Sequence, residues 1–183
     1  MTNKKNKLEV IDLVYIAMFA VLIAICSWIA IPSAVPFTMQ TFGVFCTVGI
    51  LGGKRGTIAV LIYILLGAVG IPVFAQFHSG IATLFGTTGG YIIGFLFGAL
   101  IYWLITTLLG SKLVPMAVGM VAGLLVCYAF GTLWFMQVYS QSKEAIGVVT
   151  ALGWCVFPYI IPDLTKIVLA IILSKRLSKY VNR

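Results

Sequence analysis

Asp163 and Lys166 stand three residues apart in a strongly apolar stretch, Phe157-Pro158-Tyr159-Ile160-Ile161-Pro162-Asp163-Leu164-Thr165-Lys166, which continues as Ile167-Val168-Leu169-Ala170-Ile171-Ile172-Leu173. A charge inside a membrane helix is costly, and by default it marks a functional site. The spacing puts the carboxylate and the ammonium on one helix face. The pair can simply neutralise itself, although an apolar core would be cheaper. Alternatively it holds a small polar head group, because a carboxylate accepts N–H donors and an ammonium donates to a carbonyl or an anion. A cyclic urea shows both kinds of group side by side. Phe74, Phe77 and Tyr91 would pack the apolar part of such a ligand.

The elements that must position this pair are membrane helices. The 183-residue chain is 62% hydrophobic and only 9% charged, with a mean hydropathy of +1.14. A soluble domain carries about 25% charged residues. The apolar runs do not alternate with polar residues, which argues against a β-barrel. The expectation is an all-α integral membrane protein with six transmembrane helices in a single domain over 1–183. Its spans are expected at about 11–31, 39–52, 57–70, 89–109, 114–138 and 148–174. Lys4, Lys5 and Lys7 before the first run resemble a signal peptide, but the run is long and further spans follow, so a retained first helix is expected.

The net charge of +8 does not point to nucleic acid, because the basic residues cap apolar runs. With six spans, Lys4, Lys5, Lys7, Lys54, Arg55, Lys112, Lys175, Arg176, Lys179 and Arg183 fall on one side. Only Lys143 falls on the other. The positive-inside rule then gives N-in, C-in. Asp163 precedes Lys175 by twelve residues, roughly 18 Å of helix, against ~15 Å for half a bilayer core. Asp163 is therefore expected in the outer half, with Lys166 near the midplane. Pro158 and Pro162 should kink the last span beside them.

Other polar residues converge on the same outer end. Gln40 and Thr41 open the second span after a link stiffened by Pro32 and Pro36, and a Gln amide there must find a partner. Tyr91 opens the fourth span, with a hydroxyl that needs a partner too. Between them runs a long, aromatic, nearly uncharged loop from Val73 to Gly90, suited to folding over a pocket. Small residues recur at helical spacing: Ala17, Ala20, Ala24 and Ser27 in span one, Gly90, Gly94 and Gly98 in span four, Gly119 and Gly123 in span five. Such faces allow close helix approach, either inside the chain or against a partner.

Enzymatic and cofactor chemistry is not expected. Gly53-Lys54-Arg55-Gly56 reads as a tight basic turn and is no phosphate loop, because that pattern needs Gly where Val48 stands and Ser or Thr where Arg55 stands. Cys26, Cys46, Cys127 and Cys155 lie singly in apolar runs, so they read as small hydrophobes, and one His cannot complete a common zinc set. One His and one intramembrane carboxylate supply no nucleophile–base pair.

Four blocks carry a family resemblance: Pro36-Phe37-Thr38-Met39-Gln40-Thr41, Gly67-Ala68-Val69-Gly70-Ile71-Pro72-Val73-Phe74-Ala75, Phe85-Gly86-Thr87-Thr88-Gly89-Gly90-Tyr91-Ile92-Ile93-Gly94-Phe95, and Pro158 to Lys166. In this order they resemble the BioY family, the biotin-capturing S components of energy-coupling factor (ECF) transporters. Thr87 departs from the Pro expected in many members. The resemblance implies an S-component fold in the cell membrane, with biotin as transported ligand and no cofactor. It implies that Asp163 accepts from the ureido N–H groups and Lys166 donates to the ureido oxygen. Gln40, Thr41 and Tyr91 would add polar contacts, and Ser79 with backbone N–H groups would hold the carboxylate. It further implies a scaffold transmembrane subunit and two ATPase subunits as partners, with docking through Ala17, Ala20 and Ala24. The alternatives are an S component for another vitamin or a stand-alone biotin facilitator.

Overall fold

The structure, a computed structural model, describes residues 8–32, 35–142 and 146–181. Helix α1 (Val10–Trp28) leads into a small antiparallel ribbon, β1 (Ala30–Ile31) and β2 (Phe37–Thr38), pairing Ala30 with Thr38 and Ile31 with Phe37. Then come α2 (Gln40–Leu51), α3 (Gly53–Ala68), a 3-10 turn at Ala75–Phe77 and the short α4 (Ile81–Phe85). The rest is α5 (Gly89–Leu109), α6 (Leu113–Ser142), α7 (Val148–Cys155), a second 3-10 turn at Phe157–Tyr159 and α8 (Ile160–Val181). Among the described residues, four stretches are long and apolar enough to cross a membrane: Val10–Trp28, Gly89–Leu109, Leu113–Gln141 and Val148–Val181.

These helices are apolar on all sides, so packing alone decides which face is buried. On α1 the inward stripe is Ile16, Ala20, Ile23, Ala24 and Ser27, while Val10, Leu13, Val14, Met18, Val21 and Ile25 stay exposed. Ala20 and Ala24 therefore pack inside this chain, and of the alanine stripe only Ala17 faces outward. Helix α2 is the hub, with ten of its twelve residues buried. It touches α1 and α3 and lies along α8.

Helices α5 and α6 pack face to face through glycines. A Cβ added at Gly98 would lie 2.8 Å from the Gly123 carbonyl oxygen, and one at Gly123 would lie 2.7 Å from that of Gly98. This is the close approach that small residues at four-residue spacing permit.

Three local expectations are corrected. Gly53–Gly56 is no turn. Gly52 alone reverses the chain at φ +80°, and the Gly56 N–H already bonds the Gly52 carbonyl at 2.9 Å, so the basic pair sits in the first turn of α3. The polar stretch after Val138 is helical as far as Ser142, because α6 runs on past the predicted span; Lys143 and Glu144 lie outside the described residues. The last span is not one kinked helix. It breaks at Val156, where φ −128° and ψ −57° leave the helical region, and restarts as α8. Pro162 then sits in the first turn of α8, where its missing N–H costs nothing.

At the end of the molecule that carries Lys54, Arg55 Nη1 meets Asp12 Oδ1 at 2.6 Å and ties α3 to α1. Both side chains are partly exposed, so the pair contributes no more than about 1 kcal/mol. The glycine seam matters more. Gly98→Leu should destabilise the protein by roughly 1–3 kcal/mol through overpacking. Thermal unfolding in detergent measures this, and an unchanged transition would show that α5 and α6 part there freely.

Candidate ligand-binding site

The break before α8 places Asp163 in the first turn of a helix. A carboxylate there meets the positive end of the helix dipole and N–H groups without intrahelical partners. Asp163 and Lys166 are 3% and 5% exposed, and Lys166 Nζ lies 2.7 Å from Asp163 Oδ1. The pair is embedded in a larger hydrogen-bonded cluster. Lys166 also donates to the Thr38 carbonyl at 2.7 Å and to Thr41 Oγ1 at 3.0 Å, and its ammonium sits 4.3 Å from the centre of the Phe37 ring. Thr41 passes its own proton to Asp163 Oδ1 at 3.0 Å. Tyr128 donates to Asp163 Oδ2 at 2.6 Å.

Counting donors and acceptors defines what the cluster can still do. An ammonium has three N–H groups and a carboxylate about four acceptor positions. All three Lys166 protons are used. Asp163 Oδ1 takes two donors and Oδ2 takes one, so one acceptor position on Oδ2 is left. As it stands, the cluster accepts one more N–H. It can donate to a ligand oxygen only by giving up a present bond, to the Thr38 carbonyl, to Thr41 Oγ1 or to Asp163.

The cluster forms one wall of a cavity of about 280 Å³. That is near the lower end of the ~300–1,000 Å³ range for small-molecule sites. Gln40, Thr41, Phe74, Tyr91, Asp163 and Lys166 all line it, as the sequence suggests. Phe77 and Ser79 do not. The Phe77 ring stacks on Trp28 with centroids 5.1 Å apart, and the Ser79 carbonyl receives Thr83 Oγ1 at 2.7 Å. Backbone geometry explains Phe77. Gln76 and Phe77 both have positive φ, 57° and 60°, a left-handed pair that swings the ring outward. Such residues cost roughly 1–2 kcal/mol each, so the tight loop is held by its contacts, including the Phe74 N–H on the His78 carbonyl at 3.1 Å.

Further residues beyond these eight line the cavity. Tyr128 is the most important, and its signal was a lone hydroxyl in the apolar fifth span that needed a partner. Gln76, His78, Thr87 and Thr88 bring polar groups from the α3–α5 loop. Ile92 and Phe95 of α5 supply apolar wall, and Cys127 and Cys155 contribute as small buried thiols. The Tyr91 hydroxyl is matched with Thr132 Oγ1 at 2.9 Å, and Gln40 Nε2 donates to Tyr63 at 2.8 Å. The ribbon is tied down over the site. Phe37 stacks on Tyr159 at 6.0 Å, and the Tyr159 hydroxyl donates to the Val35 carbonyl.

Lys166→Met should destabilise the protein by about 3–5 kcal/mol, because it strands a buried carboxylate. Adding Asp163→Asn to that variant should recover part of the loss. Thermal unfolding of the two single variants and the double variant in detergent checks this; simple additivity would mean that the two charges do not depend on each other.

A solved structure, that of an S component for biotin from an ECF-type ABC transporter, superimposes with a TM-score of 0.83 at 26% identity, covering 98% of this chain and 95% of that one. The biotin transporter BioY of Thermotoga maritima is 41% identical over 92% of this chain and 96% of its own length. The probable biotin transporter BioY of Pyrococcus horikoshii is 39% identical over 88% and 93%. The match to the BioY family runs over residues 1–183, and the chain belongs to that family.

Proposed function

We propose that this chain captures biotin and serves as the substrate-specific membrane subunit of an ATP-driven ECF transporter. The observation that carries the reading is the buried Asp163–Lys166–Thr41–Tyr128 cluster opening on a ligand-sized cavity, in a chain whose relatives are named for biotin transport. One ureido N–H binds the remaining acceptor position of Asp163 Oδ2. The ureido oxygen takes a Lys166 proton in place of the Thr38 carbonyl. Gln40 and Tyr91 face the same ring system. Phe74, Ile92 and Phe95 cover its apolar part. The carboxylate lies toward Gln76, His78, Thr87 and Thr88, in place of the role expected for Ser79. A nanomolar Kd requires about −12 kcal/mol. Over roughly sixteen heavy atoms this is about −0.8 each, within the ceiling for small ligands.

The proposed topology has six spans in one domain: α1, α2, α3, α5, α6 and the broken α7–α8 unit, with both termini in the cytoplasm. Lys54, Arg55, Lys112, Lys175, Arg176 and Lys179 favour this orientation, and it puts the cavity at the outer end. Transport needs energy the chain does not supply. The scaffold subunit and two ATPases are the proposed partners, and docking involves the outward face of α1 at Ala17. Ala20 and Ala24, being buried, act by letting α1 sit close to its neighbours.

Two measurements test these points. In calorimetric titrations of ligand-free protein, wild type should bind biotin at one site, and Asp163→Asn should weaken binding more than tenfold while the protein stays folded. Unchanged affinity would remove Asp163 from the site, and displacement of biotin by another vitamin would reassign the substrate. Ala17→Trp should preserve biotin binding and block co-purification with the scaffold subunit. An intact complex would place docking elsewhere.

A further inference from the structure

The Gln40–Tyr63 hydrogen bond is one link in a longer buried chain. Tyr63 is 0% exposed, does not line the cavity, and sits on α3 behind it. Its hydroxyl receives Gln40 Nε2 at 2.8 Å, and Ser27 of α1 is its other polar neighbour. The Ser27 hydroxyl, likewise 0% exposed, points its one proton at the backbone, 2.5 Å from the Val73 carbonyl and 2.7 Å from that of Ala24. The direction of the whole chain follows. With its own proton committed, Ser27 can only accept from Tyr63. With its proton given to Ser27, Tyr63 can only accept from Gln40. The Gln40 amide must therefore turn its NH2 group to Tyr63, which leaves its carbonyl oxygen for the cavity that Gln40 lines.

A hydroxyl at this depth is unfavourable unless it is used, and Phe would fill the same space. The same ring also packs edge-on against Phe74, with centroids 5.7 Å apart and planes at 79°. Phe74 follows Val73, where the hydrogen-bonded chain ends.

We infer that Tyr63 is a positioning residue for ligand specificity: through Ser27 it fixes the Gln40 amide so that the Gln40 carbonyl oxygen accepts the second ureido N–H, the one that Asp163 does not take. This rests on the biotin reading above. The site then demands two N–H donors and discriminates against a ligand that has lost either one. Tyr63 itself never touches the ligand.

The test compares wild type, Tyr63→Phe, Gln40→Met and the double variant in detergent, titrated with biotin and with its two ureido N-methyl derivatives. Tyr63→Phe and Gln40→Met should each weaken biotin about tenfold, and the double variant should be no worse than Gln40→Met alone. Tyr63→Phe should also narrow the wild-type preference for biotin over one N-methyl derivative, an effect that a general loss of packing would not produce. Wild-type affinity in Tyr63→Phe, losses that multiply in the double variant, or an unchanged preference would each overturn the assignment. The amide link has a readout without ligand: proton exchange of the Gln40 side-chain NH2, followed by NMR, should be slow in wild type and faster in Tyr63→Phe. Equal exchange overturns the positioning role. If exchange differs and wild type does not bind biotin, the biotin reading fails and the specificity role with it, while the hydrogen-bonded chain stands.

Discussion

The fold depends on one buried ion pair that hydrogen bonds enclose at every position but one acceptor site on Asp163. Lys166 and Asp163 belong to α8, but their partners come from β2 at Thr38, α2 at Thr41 and α6 at Tyr128. Four elements thus meet at two side chains. Removing charges from water is costly, and only near-complete pairing offsets it. The need to satisfy this pair therefore fixes where the ribbon, α2, α6 and the start of α8 can lie relative to one another. The helix break at Val156 belongs to the same solution, because it converts a mid-helix carboxylate into one at a helix N-terminus, where the local field favours it.

On the proposed reading, this arrangement lets a stabilising cluster double as a binding site. A pair with every valence filled would be inert. Here one acceptor position remains on Asp163, and one Lys166 proton is held by a backbone carbonyl in a two-residue strand. A ligand that brings N–H donors and a carbonyl can insert by exchanging bonds, so the charges need not be exposed to water at any stage. Phe74, Ile92 and Phe95 supply apolar wall to the same cavity, and a lower local dielectric strengthens polar contacts. On that reading the site selects for hydrogen-bonding pattern and not for net charge.

Much of this was legible in the sequence. The apolar runs, the charge pair at helical spacing and the glycine faces each follow from a requirement that lipid imposes on every residue, so composition and period reveal them. Six of the eight suggested ligand contacts line one cavity. Other features depend on tertiary choices that spacing does not encode. Phe77 left the cavity because Gln76 and Phe77, two consecutive non-glycine residues, adopt positive φ, which their types disfavour. Ala20 and Ala24 turned inward because an all-apolar helix has no polar face to orient it. The turn at Gly52 was misplaced because the basic pair after it looked like a loop, although it opens α3. Tyr128 went unnoticed because a lone tyrosine in a membrane span resembles packing until its partner is known.

The most direct test of the central claim is a structure of the biotin-bound protein. It should show a ureido nitrogen within hydrogen-bonding distance of Asp163 Oδ2 and the ureido oxygen on Lys166 Nζ, with the Thr38 carbonyl released. Biotin seated elsewhere, with all three Lys166 bonds intact, would reduce the pair to a structural element and contradict the account.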